Sequence, residues 1–423
     1  MPDLRPNRLP RFARRSALAI VLLIAGFAIL FISFAPSVGP PSRPSAHDIA
    51  AAREVWQQLK GTKGAVVAKR VRADNEAIAG IVALASDATG YARFDAAVKR
   101  GVLSGQASLS LPAGLWINAS ASVTGEHAGF PAYRLKVGRV QFPPIVSRWA
   151  ADLGRLVLRL KGASIPPLDQ MVRHLAVDQQ ELVADLVLPA DSGIVDGIIS
   201  AGGEPLDQPL VSDIYCRIAA AQRKAPVSSL AQLIRRTFDP AHADDSEEFS
   251  RAALVALSFV VVGEQAEALA PEAAELSKNC PHPRAGYLLQ QREDLAKHWT
   301  FSAGLTAVLG DETAASLGEW KELDDSLPSG SGFSFVDLSA DRSGMQTALR
   351  VLDPDQAANA TAELARVTDE DLLPRALLQR PEGLSEATFI DSFGSLDRER
   401  YQQAMATIDR TLARQRSAKA GGT

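Results

Sequence analysis

The chain has 423 residues, enough for two or three domains, and its 46% hydrophobic and 22% charged residues are an ordinary balance for a folded protein facing water. A formal net charge of −4, with no Lys/Arg cluster outside the extreme N-terminus, excludes the basic footprint of a nucleic-acid-binding surface. Its two cysteines, Cys216 and Cys280, are too few for an all-cysteine zinc site. Two readings stand for them: one disulfide if the body lies outside the cytoplasm, or two buried thiols.

Residues 1–15 carry Arg5, Arg8, Arg11, Arg14 and Arg15 against a single Asp3, and read as a cytoplasmic basic tail. Ala17–Ala35 then runs nineteen residues without a charge. At 1.5 Å per residue this spans roughly 28 Å, one hydrocarbon core, so residues 16–35 are expected to form a single transmembrane anchor. A cleaved signal peptide is the competitor, but its apolar stretch is shorter, and Pro36 makes a poor cleavage junction after Ser33-Phe34-Ala35. Residues 36–45 are expected to form a Pro-rich extended spacer. Arginines ahead of the span place the body outside the cytoplasm, in the periplasm of a Gram-negative host, with the inner membrane as partner.

Over 46–200 a helix at Ala46–Leu59 precedes period-2 alternation, the mark of half-buried antiparallel strands. Leu115, Ile117, Ala119, Ala121 and Val123 alternate with Trp116, Asn118, Ser120 and Ser122; Tyr133, Leu135 and Val137 alternate with Arg134 and Lys136. Leu156, Leu158 and Leu160, and then Leu182, Ala184, Leu186 and Leu188, repeat the pattern. Gly114, Gly125 and Gly129 mark turns, and Ile145–Leu153 is predicted to be a helix. The result is a curved sheet with a few helices. Its order of strands, with Val137-Gly-Arg-Val-Gln-Phe-Pro-Pro144 as the shared phrase, resembles YpmS-type membrane-anchored envelope proteins. That resemblance implies a concave apolar sheet able to hold an acyl chain. A sheet covered by its own helices is the plainer alternative.

From Leu210 strands give way to helices, predicted at Asp213–Gln222, Ser228–Thr237, Ser246–Gly263, Leu288–Leu309, Glu312–Asp325, Ser334–Leu352, Asp355–Val367 and Arg398–Arg414. The whole is an α+β chain: an N-terminal anchor, an antiparallel sheet domain over 46–200, an all-α domain over 205–415 and a disordered tail over 416–423. His242 and His282, in polar loops, are expected to be solvated.

The most specific stretch is Lys321–Gly344, with five acidic residues, three glycines and six serines in twenty-four positions. Asp294 and His298 are four residues apart on one helical face, Glu322 and Asp325 three apart, Asp337 and Asp341 four apart. Gly330 and Gly332 permit a tight loop between the second and third groups. One imidazole among carboxylates is a candidate divalent-metal set, with His298, Glu322, Asp325 and Asp341 as ligands. The same residues also suit an ordinary polar lock. Ser334 would cap a helix with Asp337 at its third position, Lys321 and Asp325 would pair, His298 would bond a carboxylate, and Gly344 would admit a close helix.

These residues resemble the YfiM-type predicted lipoproteins, whose phrase matches at Lys321, Glu322, Leu323, Asp325, Ser326, Gly330, Ser331, Gly332, Phe333, Ser334, Asp337, Leu338, Asp341 and Gly344, with Asp294 and His298 upstream. Asp324, Val336 and Leu295 depart from it. The resemblance implies a shared site without naming its chemistry. Two functions are therefore expected in competition: a non-catalytic envelope protein binding lipid or a protein partner, and a metal-dependent hydrolase acting on envelope material. No GxSxG elbow or phosphate-binding loop is present.

Overall fold

The computed structural model describes residues 26, 29–40, 43–59, 68–89, 92–160, 167–187, 206–241, 246–281, 286–328 and 330–420. It is an α+β protein with antiparallel sheets followed by a helical C-terminal half. The first sheet takes β3 (Ala92–Lys99), β4 (Val102–Leu111), β5 (Leu115–Thr124), β7 (Arg134–Val137) and β8 (Val140–Phe142) in that order, with β1 (Ile32–Ser33) also on β5. The second has the order β2 (Lys69–Asp74), β10 (Glu181–Leu186), β9 (Val172–Val177) and β6 (Glu126–Ala128). So the single curved sheet expected is in fact two. They share a small core of Val71, Ala73, Val98, Val123 and Val177, into which the helices α1 (Ala46–Leu59) and α2 (Asn75–Thr89) press Val55, Ala77 and Ile78.

The strands around Leu115 and Leu182 and the turns at Gly114, Gly125 and Gly129 agree with the alternation pattern. Burial along β5 does not alternate, however. Leu115 to Ser122 are all half-buried and only Val123 is enclosed, so neither face of this strand is sealed along its length. Leu156–Leu160 is a correction: it is the end of α3 (Pro144–Leu160), not a strand. Ile145, Trp149, Leu153 and Leu156 recur at spacings of four, four and three. The short alternation was the tail of a helical period that had begun eleven residues earlier. Leu188, His242 and His282 lie outside the described residues.

No helix among the described residues is long and apolar enough to cross a membrane. Most of the anchor expected over 16–35 lies outside them; of its described residues Gly26 and Ile29–Phe31 are helical, and after Phe31 the chain turns to a short strand in which Ile32 pairs with Ile117 and Ser33 with Trp116. The spacer expected at 36–45 is likewise not free. Ser37 N–H donates to Ser108 Oγ (3.0 Å) and Asn118 Oδ1 (2.9 Å), Val38 N–H donates to Ser108 Oγ (3.1 Å), and Asn118 Nδ2 donates to Ala35 O (3.0 Å). Ser108 and Asn118 are cross-strand partners on β4 and β5, and their paired side chains clamp the passing backbone.

The helical half comprises α4 (Gln208–Lys224), α5 (Leu230–Thr237), α6 (Glu247–Val262), α7 (Glu293–Leu309), α8 (Asp311–Asp325), α9 (Phe335–Leu352), α10 (Ala357–Leu364), α11 (Glu386–Phe393) and α12 (Glu399–Ala420). Ser246 caps α6 and Gly263 ends it, as expected, and the run Ala252–Val261 is buried throughout. The tail expected to be disordered from 416 continues α12 to Ala420. Ala46 and Ile49 of α1 belong to the helical core, and Trp320 Nε1 of α8 donates to Asp87 Oδ2 of α2 at 3.0 Å, so the two halves share packing.

Cys216 and Cys280 are joined, Cα to Cα 5.3 Å, closing a separation of 64 residues between α4 and the segment ahead of α7. The double variant Cys216→Ser/Cys280→Ser is expected to lose about 2–4 kcal/mol of unfolding free energy, checked by urea melts with and without reductant.

Candidate functional site

The site forms where α7, α8 and α9 meet. Gly344 on α9 brings the backbones together: a Cβ there would stand 2.1 Å from Trp299 O on α7. This close approach sets His298 of α7 against Asp341 of α9, with Nδ1 3.1 and 3.2 Å from the two carboxylate oxygens. Asp337, one turn back on α9, faces the other nitrogen, Nε2, at 3.8 Å. Ser302 Oγ, one turn beyond His298, donates to Asp341 Oδ1 at 2.7 Å. Glu322 approaches from α8, fully buried, and its Oε2 accepts the Ser334 N–H at 2.9 Å.

That last bond modifies the expected capping box. Ser334 does cap α9, accepting the Asp337 N–H at Oγ (3.0 Å). The reciprocal role, satisfying the cap residue's own N–H, falls to Glu322 from another helix and not to Asp337. Asp337 is thereby left to face the imidazole.

The loop between α8 and α9 is shaped by its glycines. Gly332 has φ +93° and lies so close to Gly383 that a Cβ would meet its carbonyl carbon at 2.4 Å, so both conformation and space demand glycine. A Cβ on Gly330 would meet Asp325 O at 2.1 Å, and the Gly332 N–H donates to that same oxygen at 2.7 Å. Pro381–Leu384, to which the sequence assigned no part, straps the loop down. Phe333 and Leu384 exchange backbone hydrogen bonds of 2.7 and 3.0 Å, and Phe335 N–H donates to Pro381 O at 2.9 Å.

Two candidates do not join the centre. Asp294 is held at the rim by Arg292 (2.6 Å), which also reaches Glu382 (2.8 Å) and lies 3.6 Å from Asp337. Asp325 forms the ordinary pair with Lys321 at 2.6 Å. Of the four residues expected as metal ligands, His298, Glu322 and Asp341 converge, with one potential ligand atom from each within 4.8 Å of the others, and Asp325 does not. Arg292 and Ser302 were missed. Only the spacing of Ser302, four residues after His298, could have signalled it.

Burial alone would lower the His298 pKa, but the charge and hydrogen bond of Asp341, with Asp337 behind, outweigh it and hold the imidazole at about 9. It is therefore an imidazolium at neutral pH, donating from Nδ1 to Asp341. Burial pushes Glu322 up to about 8, with Asp337 and Asp341 adding to the rise and Lys321 opposing it. Asp337 is raised as well, chiefly by burial. The Glu322 carboxyl and the His298 imidazolium thus share one enclosed site with the side chains of Asp337 and Asp341.

Both His298 and Glu322 bind a proton more tightly in the folded chain than in the unfolded one. Their contribution is whole below their ordinary values of 6.5 and 4.5 and is lost as pH rises through about 9 and about 8. Stability is expected to fall steadily between about pH 5 and 9, followed by urea midpoints across that range. Glu322→Gln, which keeps an acceptor for Ser334, should flatten the part of the slope below about pH 8.

Compared with protein-family models, curated proteins and solved structures, the chain finds no match.

Proposed function

We propose that this chain is a single-pass, membrane-anchored protein of the bacterial envelope, binding lipid or a protein partner without catalysis, with its helical half held in one shape by the buried lock of His298, Asp341, Asp337 and Glu322. The closure of that lock carries the reading. Glu322 has no exposed surface, and its two oxygens meet the Ser334 N–H at 2.9 Å and Lys321 Nζ at 3.4 Å. His298 and Asp341 keep only about 10% of their side chains exposed. A group that must meet a substrate needs an approach, and these groups are turned to one another. The Cys216–Cys280 disulfide suits a body on the oxidising side of the membrane, and the half-open face of β5 suits a bound apolar group. The likeness of residues 294–344 to YfiM-type lipoproteins is consistent with an envelope setting.

A second reading has one observation in its favour. His298, Glu322 and Asp341 lie within reach of a shared ion, and an imidazole with two carboxylates suits Zn²⁺, Mn²⁺ or Fe²⁺. In a metal-dependent hydrolase they would hold the ion, which would activate a water. The lock predicts that EDTA, Mn²⁺ and Zn²⁺ leave the melting temperature of the full chain unchanged. A rise with one metal at stoichiometric loading, abolished by Glu322→Gln, would establish the metal site instead.

A further inference from the structure

The feature that neither reading uses is α3. Four large apolar side chains stand in water on it: Ile145 and Trp149 are each 69% exposed, Leu153 62% and Leu156 50%. Their spacing puts them on one face of the helix, so this is a continuous stripe and not scattered exposure. Exposed apolar stripes of this length mark an unmet partner.

The charge around the stripe says which partner. Between residues 129 and 160 the chain carries Arg134, Lys136, Arg139, Arg148, Arg155 and Arg159 against one acidic residue, Asp152, in a protein whose net charge is −4. In the linear sequence these residues are too dispersed to read as a cluster. The fold brings Arg148 of α3 beside Arg134, Lys136 and Arg139: α3 packs on β7, Tyr133 N–H donates to Ser147 Oγ at 3.1 Å, and Arg148 Nη2 donates to Phe130 O at 3.0 Å. Arg134, Lys136, Arg139 and Arg148 all remain exposed. Nucleic acid would want the cations but has no use for four adjacent aliphatic and indole side chains. A basic helix with a Trp/Leu/Ile face matches the headgroup–acyl boundary of an anionic bilayer.

Position agrees. The apolar run that begins at Ala17 leaves Ile29 and Leu30 exposed and docks on the turn between β7 and β8, where Arg139 N–H donates to Leu30 O at 2.8 Å. From that turn, β8 covers only three residues, about 10 Å, before α3 begins. Phe34, 90% exposed, follows the two-residue β1.

The geometry points to α3 as a membrane-surface helix that lays Ile145, Trp149, Leu153 and Leu156 into an anionic lipid leaflet, with the surrounding arginines and Lys136 on the headgroups. From the reading above it takes only that the chain sits at a membrane. Docking there would pin the sheet half against the bilayer and fix how its open β5 face meets lipid.

The test uses the full chain carrying Leu153→Cys, labelled with an environment-sensitive fluorophore and reconstituted into vesicles of phosphatidylcholine with or without phosphatidylglycerol. Glu248→Cys, exposed in the helical half, is the control. The label at 153 is expected to shift to the blue and be quenched by a lipid-borne quencher in phosphatidylglycerol vesicles. Arg148→Glu/Arg155→Glu should remove that quenching, and the label at 248 should stay in water. A label at 153 that stays in water on vesicles retaining the chain overturns the proposal. So does a label shielded from water yet out of reach of the lipid quencher, since a protein would then cover the stripe. Release of the chain by alkaline carbonate afterwards tells separately against the anchor, leaving the prior quenching result to decide the helix.

Discussion

The helical half depends on keeping a charged imidazole out of water. His298 loses most of its hydration when α7 closes on α9, and an isolated buried cation would be costly. It is stabilised because Asp341 takes Nδ1 and Asp337 stands opposite Nε2. Those carboxylates have their own requirements in turn. Asp341 takes a second hydrogen bond from Ser302, and Asp337 has Arg292 3.6 Å away. Gly344 makes the arrangement reachable, since any side chain there would hold the two helices apart. Ser258 Oγ, donating to Thr300 O at 2.7 Å, ties α6 to α7, and Gly304 leaves room for it.

Glu319 and Glu322, one turn apart on α8, extend this constraint across the molecule. Glu322 serves the lock. Glu319 accepts from Tyr401 of α12 at 2.9 Å and pairs with Arg43, which also reaches Asp87 of α2 at 3.0 Å. Burial raises the Glu319 pKa, with Arg43 opposing it, and raises that of Tyr401 well above its ordinary value. One helix thus joins the lock on one turn to the segment before the sheets on the next. Under Tyr401 lies an aromatic cluster in which Phe333 stacks on Phe389 at 4.2 Å and Phe335 meets Phe393 at 4.6 Å. The residues flanking Ser334 therefore anchor the lock's loop in the core.

Helices with clear periodicity and capping residues were legible in the sequence, α6 and α9 most fully, because caps and apolar spacing are local properties. β3 and β4 were passed over although they do alternate, Ala92, Phe94, Ala96 and Val98 against Arg93, Asp95 and Lys99, and Leu103, Ala107, Leu109 and Leu111 against Ser104, Gln106, Ser108 and Ser110. Their many small residues make the apolar face a weak signal until β4 is seen paired between β3 and β5. The Leu156–Leu160 misreading has a different origin: a short window cannot separate a period of 2 from the end of a period of 3.6.

For the site, sequence alone determined the cast: His298, Glu322, Asp337, Asp341, the cap Ser334 and the glycines at 330, 332 and 344, all from spacing within single helices and one loop. Tertiary structure decided the pairings. His298 turned to Asp341, Asp294 to Arg292 and Glu322 to the Ser334 N–H, while the 381–384 strap closed the loop; the Lys321–Asp325 pair, four apart on one helix, was already legible. The reason is geometric. Spacing along a helix fixes which side chains share a face, but which acid meets which base depends on how close two backbones come, and here a missing Cβ at residue 344 sets that distance.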